Sequence, residues 1–148
     1  MEILKYPHYL LRQIASPIYK IDYFIKDKIK QMFEILQTTP EAVGLAANQI
    51  GLLKRVFVIK IGEDHAVFIN PEITAVTDGT VSLEEECLSL PGKKVAIARP
   101  SIIFVRYKNL NNEVVEDTLD TLQSRVFQHE LDHLNGRLII DYSLEAKR

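Results

Sequence analysis

The chain has 148 residues, a formal net charge of −2, 47% apolar and 26% charged residues, and a single cysteine. That length suits one domain, residues 1–148, with a sizeable core, and the near-neutral charge leaves no footprint for nucleic acid or an anionic membrane surface. One cysteine rules out an internal disulfide framework and points to a reducing compartment; with no ~18–20-residue apolar run to span a bilayer and no signal-peptide pattern, the expected location is cytoplasmic.

The first predicted element is a helix over residues 23–37, with Asp22 as N-cap and Ile25, Ile29, Met32, Phe33 and Leu36 forming its buried face. Pro40 ends it, and the small-residue segment Glu41-Ala42-Val43-Gly44-Leu45-Ala46-Ala47-Asn48-Gln49-Ile50-Gly51 follows. Such a segment lets backbone approach another chain or a ligand closely. The Gln49 amide within it either caps a turn or donates into a site. Strands are predicted over residues 55–61, 66–70 and 72–76, with a turn at Asp78-Gly79. Further strands are predicted over 94–98, 102–107 and 113–119, the last two joined by an Asn-rich turn. A late helix carries Leu122, Val126, His129 and His133 at the spacing of a core-facing stripe. Asp120 with Gln123 reads as a capping box and Asn135-Gly136 as the stop. Runs of strands around a late helix give an α+β fold with mainly antiparallel sheets.

The chemistry concentrates in Gln128-His129-Glu130-Leu131-Asp132-His133. Four residues of helix rise about 6 Å and return two side chains to one face, so His129 and His133 can bind one metal ion. Glu130, one position off that stripe, can work on a metal-bound water without being a ligand. A core helix with buried, satisfied histidines is the plainer alternative. Two imidazoles do not complete a catalytic site, so a third ligand comes from elsewhere. Cys87 is either that ligand, as a thiolate, or a small packed hydrophobe. The acids Glu84, Glu85 and Glu86 before it are unusual beside a merely packed cysteine, although a solvated charged run is the simplest reading of Glu84. His8 and His65 lack metal-ligand company and read as structural or surface residues.

Three segments taken together resemble the peptide deformylase family. Its motifs run approximately GxGLAAxQ, EGCLS and QHExDH, and they stand here as residues 42–49, 85–89 and 128–133, in that order. Leu4-Lys5-Tyr6-Pro7, Leu11-Arg12 and Pro17-Ile18 resemble the family's opening segment. The resemblance implies sheets wrapped around a central C-terminal metal-binding helix. It also implies hydrolytic removal of the N-formyl group from the initiator methionine of newly made polypeptides, with release of formate. Cys87, His129 and His133 would then bind a divalent metal, Fe²⁺ in the family's physiological form, with Zn²⁺ or Ni²⁺ able to substitute. Glu130 would accept the proton of the attacking water and pass it to the leaving amine. The Gln49 side chain and the Leu88 backbone N–H would stabilise the oxyanion. The implied partners are N-formyl-Met peptides of nascent chains, met at the ribosome. The family's arrangement also implies a supporting ion pair between Arg99 and Glu85.

The sequence departs from the family pattern at Ala42 and Glu86, where glycine is usual. If position 42 needs positive φ, a Cβ is costly; otherwise alanine is harmless. Glu86 would either crowd the substrate groove, repel acidic peptides or turn outward into solvent. Val43, Gly44, Glu86, Leu122 and Val126 are candidate substrate-binding residues. Val43 and Leu122 are read as lining the methionine pocket and Val126 as its rim; ordinary core positions satisfy the same residues. Two other functions compete: a catalytically silent relative that binds metal or formylated peptide without turnover, and a metallopeptidase, which a cysteine ligand fits poorly.

Overall fold

In the computed structural model, which describes residues 2–146, the chain forms three α-helices, two short 3-10 helices and seven strands. The ends of the single domain expected over 1–148, Met1, Lys147 and Arg148, lie outside the described residues. Helix α1 spans Tyr23–Thr38. As expected, the Asp22 side chain caps it, accepting from the Ile25 N–H at 3.0 Å. Strands follow at β1 (Gly44–Ala46), β2 (Val56–Ile61), β3 (Asp64–Val76), β4 (Val81–Cys87), β5 (Leu90–Arg99), β6 (Ile102–Lys108) and β7 (Val114–Asp120). Helices α2 (Thr121–Leu134) and α3 (Ile139–Ala146) close the described chain.

The sheets are antiparallel throughout: one five-stranded in the order β1-β2-β3-β6-β7, the other the hairpin β4-β5. Strand β2 is buried on both faces, and its period-2 alternation sorts two cores. Phe57 and Ile59 point toward α2 and join Phe68, Ile103, Val105, Val126, Phe127 and Leu134. Val56 and Val58 point the other way, against Ile25, Ile29, Met32 and Leu36 of α1. A third cluster joins Leu11, Cys87, Leu90, Ile97, Leu138 and Ile139, packing the hairpin against α3 and the N-terminal segment. Helix α2 therefore lies between the large sheet and the hairpin, which is the α+β arrangement expected.

Several boundaries differ from the sequence reading. The strands expected at 66–70 and 72–76 are one strand, β3. Its first half pairs with β2 through Ile69 and its second half with β6, with the irregularity at 70–71 absorbed by Asn70 at φ 51°. The side chain of Asn70 accepts from the Ile18 N–H at 2.8 Å and donates to the Ile18 carbonyl at 2.7 Å, which holds that turn of backbone. The capping box at α2 does not form. Asp120 occupies the N-cap, but its carboxylate accepts from the Thr121 hydroxyl at 3.2 Å rather than capping the helix backbone. Strands β1 and β4 and helix α3 were not foreseen. The acidic run conceals β4. It alternates as a strand does, with Glu85 turned inward and Glu84 and Glu86 outward.

Candidate metal centre

The Cys87 thiol, at the end of β4, meets two imidazoles from α2. One ligand atom each from Cys87, His129 and His133 lies within 4.8 Å of the others, and Cys87 Sγ is 3.3 Å from His133 Nε2. The fit to a divalent metal rests on the chemistry of these donors. A buried carboxylate, Glu85, takes the Nδ1–H of His129 at 2.9 Å, which makes Nε2 the nitrogen that would give up its proton to bind an ion. Burial, helped by the charges of His129 and Arg99, pushes His133 well below the usual imidazole range, so it is neutral as a ligand must be. Burial also opposes charge on His129, but hydrogen bonds to Cys87 and Glu85 and the charge of Glu130 outweigh it, lifting its pKa to about 10. One sulfur and two imidazole donors converging from two elements, with a carboxylate behind one imidazole, are a set that suits a divalent cation.

Glu85 is held by more than its expected partner. Arg99 binds it in a fork, Nε to Oε2 at 2.6 Å and Nη2 to Oε1 at 2.9 Å, confirming the ion pair expected from the family's arrangement. Arg125 adds Nη1 to Oε2 at 2.6 Å. Burial raises the carboxyl, but the hydrogen bonds from His129 and Arg99 and their charges prevail, and its pKa falls to about 2. Arg99 continues to Asp132 at 3.1 Å, and Asp132 accepts from the Tyr142 hydroxyl of α3 at 2.6 Å. Arg125, Asp132 and Tyr142 were missed in the sequence. The signal for Arg125 was its position one helical turn before His129.

Glu130 is 3% exposed, and its Oε1 finds no hydrogen-bond partner among the described residues. Burial, partly offset by the His129 charge, lifts its pKa to about 7. Gly44 explains how the carboxylate fits. A Cβ on Gly44 would stand 2.7 Å from Glu130 Oε2 and 2.8 Å from Val126 Cγ1. Its φ is not positive, so close approach rather than backbone freedom is what requires glycine there. Gln49 caps a turn, and its amide nitrogen points to the segment that carries Cys87. Its Oε1 accepts from the Ala46 N–H at 3.0 Å, and its Nε2 reaches Ser89 Oγ at 3.1 Å and Cys87 Sγ at 3.8 Å. The N-terminal segment ties the two site loops together: the Leu4 N–H donates to the Gln49 carbonyl and the Tyr6 N–H to the Ser89 carbonyl.

A cavity of about 700 Å³ opens onto these groups, lined among others by Val43, Gly44, Gln49, Glu86, Cys87, Leu88, Leu122, Val126, His129 and Glu130. His133 lies beneath it, 1% exposed. The candidate substrate residues thus come together, with one reversal. Leu122 is 63% exposed and forms the lip, whereas Val126 is buried at 6% and forms the wall. Helical spacing misleads here because Leu122 stands in the first turn of α2, where the stripe opens to solvent, and Val126 one turn on is inside. Ala42 is buried without positive φ, so its Cβ is harmless. Glu86 turns outward and stands 3.6 Å from Lys94 on β5. His8 is structural, its Nδ1 accepting from the Leu10 N–H, and His65 packs edge-on against Phe33.

The family model described as polypeptide deformylase matches residues 1–148. The chain belongs to the polypeptide deformylase family. Among its relatives, a peptide deformylase from Thermotoga neapolitana is 45% identical over 139 residues, covering 94% of this chain and 84% of the relative. One from Phenylobacterium zucineum is 40% identical over 152 residues, covering 99% and 89%. The crystal structure of the Thermotoga maritima peptide deformylase superposes with a TM-score of 0.91 at 42% identity, covering 95% of each chain. The family's fold is therefore the fold of this chain, and no helix among the described residues is long and apolar enough to cross a membrane.

Proposed function

We propose that this chain, as one catalytic domain, is a metal-dependent peptide deformylase that hydrolyses the N-formyl group from the initiator methionine of newly made polypeptides and releases formate. The observation that carries the reading is the Glu130 carboxylate, whose Oε1 has no hydrogen-bond partner among the described residues, beside a Cys87–His129–His133 donor set at the base of an open cavity. A thiolate with two imidazoles suits Fe²⁺, which we propose as the working ion, and accepts Zn²⁺ or Ni²⁺. When bound, such an ion supplies Lewis acidity and lowers the pKa of a water molecule.

The chain's own residues supply the rest. Glu130 takes the proton of the attacking water and delivers it to the leaving amine. The Gln49 Nε2–H, held in place through its Oε1, and the Leu88 backbone N–H donate to the oxyanion; one such donor is typically worth ~3–4 kcal/mol. Strands β1 and β4 each pair on one side only, and residues of both line the cavity. An extended peptide can add as a strand along such edges. Val43, Leu122 and Val126 offer apolar surface to the methionine side chain. Gly44, Val126 and Glu130 pack closely beside the donor set, and a site that is narrow at the reacting carbon would favour the hydrogen of a formyl group over the methyl of an acetyl group. The outward Glu86 and the unstrained Ala42 give no support to a catalytically silent relative. Substrate would be met in the cytoplasm, on nascent chains at the ribosome. The test is anaerobic purification, metal analysis and a formate-release assay on formyl-Met peptides. Release in proportion to bound metal is expected; bound metal without formate release would refute the reading.

A further inference from the structure

We propose that Arg125 is a positioning residue for the metal centre: it locks Glu85 in the orientation that presents His129 Nε2, and so registers the helix carrying both histidines against the hairpin carrying Cys87. The proposal rests on the reading of Cys87, His129 and His133 as the metal ligands.

The geometry divides the work between the arginines. Arg99 is on β5 and Glu85 on β4, paired strands of one hairpin, so their fork fixes Glu85 relative to the hairpin alone. Arg125 is on α2, 9% exposed, and donates to three acceptors of the hairpin: Glu85 Oε2 at 2.6 Å, the Ile97 carbonyl at 3.0 Å and the Val81 carbonyl at 2.6 Å. With Arg125 on Oε2, Oε1 is left to Arg99 and to the His129 Nδ1–H. A second grip follows His129 on the same helix, where Asp132 accepts from Arg99 at 3.1 Å. The hairpin is thus held to α2 at one point before His129 and one after it. Glu85, Arg99, Arg125 and Asp132 carry two charges of each sign in or near the interior. Apolar side chains of similar volume often stabilise such a contact at least as well, because desolvating ions is costly. What they lack is direction, and the ligand triangle depends on direction. A carboxylate that orients a ligating histidine is typically worth 10–100-fold in metal affinity.

The test uses Co²⁺ as probe, with affinity measured by chelator competition and ligand geometry by the visible absorption of the bound ion. Arg125→Gln is expected to weaken Co²⁺ binding by ~10–100-fold and to shift the absorption band. Arg125→Lys keeps the charge but not the three-way fork, and is expected to lose several-fold in affinity; it carries the test if the glutamine variant does not fold. In a Glu85→Gln background, either substitution should cost clearly less than in the parent, since the Glu85 part of the Arg125 grip is already gone and only its bonds to the Ile97 and Val81 carbonyls remain. Co²⁺ affinity and spectrum within about twofold of the parent in the folded variants would overturn the proposal. So would an equal loss in the Glu85→Gln background, the additive behaviour of a residue that only stabilises the fold. The two readings fail separately. Arg125-dependent Co²⁺ binding in a parent protein that releases no formate refutes the deformylase reading alone. Formate release with Arg125-independent Co²⁺ binding refutes this proposal alone.

Discussion

Replacing Gly44 by alanine probes the narrowest point of the site. The added Cβ would stand 2.7 Å from Glu130 Oε2 and 2.8 Å from Val126 Cγ1, both closer than real Cβ contacts. Restoring an ordinary contact of 3.4 Å moves the carboxylate by about 0.7 Å, and Val126, buried in the core with Phe127, has little freedom to retreat. Overpacking of this kind costs ~1–3 kcal/mol. At ~2–4 °C per kcal/mol for a chain of this size, Tm should fall by ~2–12 °C. Catalysis should suffer more, because a misplacement approaching 1 Å costs up to ~10²-fold in rate. We expect kcat/KM for a formyl-Met tripeptide to fall ~10–10²-fold, with metal content unchanged because no ligand is touched. The assay is formate release at matched metal loading, beside a thermal melt. An alanine variant with kcat/KM and Tm within error of the parent would refute the argument that Gly44 makes room for Glu130.

Cys87→Ser should weaken metal binding, since a neutral hydroxyl replaces a thiolate, and the parent's Fe²⁺ form should lose activity in air faster than its Ni²⁺ form; equal decay rates with and without air would contradict this. Glu86, outward and paired with Lys94, should disfavour acidic residues after formyl-Met only slightly, by roughly two- to threefold in kcat/KM at low salt, and Glu86→Gly should remove the preference. Equal rates for acidic and basic peptides in both proteins would show that its carboxylate does not reach the substrate. Asp141 ties α3 to the N-terminal segment through Arg12 at 2.6 Å; burial raises its pKa, but the Arg12 and Leu138 hydrogen bonds hold it below its ordinary 3.8. Its contribution is full above that ordinary value and lost as pH falls through the depressed one. Asp141→Asn should therefore cost about 1 kcal/mol at pH 7, with the gap closing in acid; denaturant unfolding at pH 7 and pH 3 checks this, and a gap that widened in acid would reverse the assigned sign.

Residues whose chemistry is local were legible in the sequence. The spacing of His129 and His133 is a property of one helix, and the α1 stripe with its Asp22 cap is set within a few turns. Cys87 needed the family pattern as well, because its partners lie 42 and 46 positions away. Long-range organisation stayed hidden. Strand β4 was obscured because a buried Glu85 contradicts hydropathy until Arg99, Arg125 and His129 are seen around it. The joining of two expected strands into β3 depends on Asn70 meeting Ile18, 52 positions earlier. The exchange of roles between Leu122 and Val126 depends on which turns of α2 the rest of the fold covers, which periodicity within a helix does not encode.

The most direct measurement compares formate release from a formyl-Met peptide by the anaerobically prepared, Fe²⁺-loaded protein and by its Glu130→Gln variant at equal metal content. The account predicts turnover by the parent and a loss of ~10²–10⁴-fold in the variant, with Cys87, His129 and His133 still holding the ion. Near-parental turnover by a fully loaded Glu130→Gln variant would contradict it.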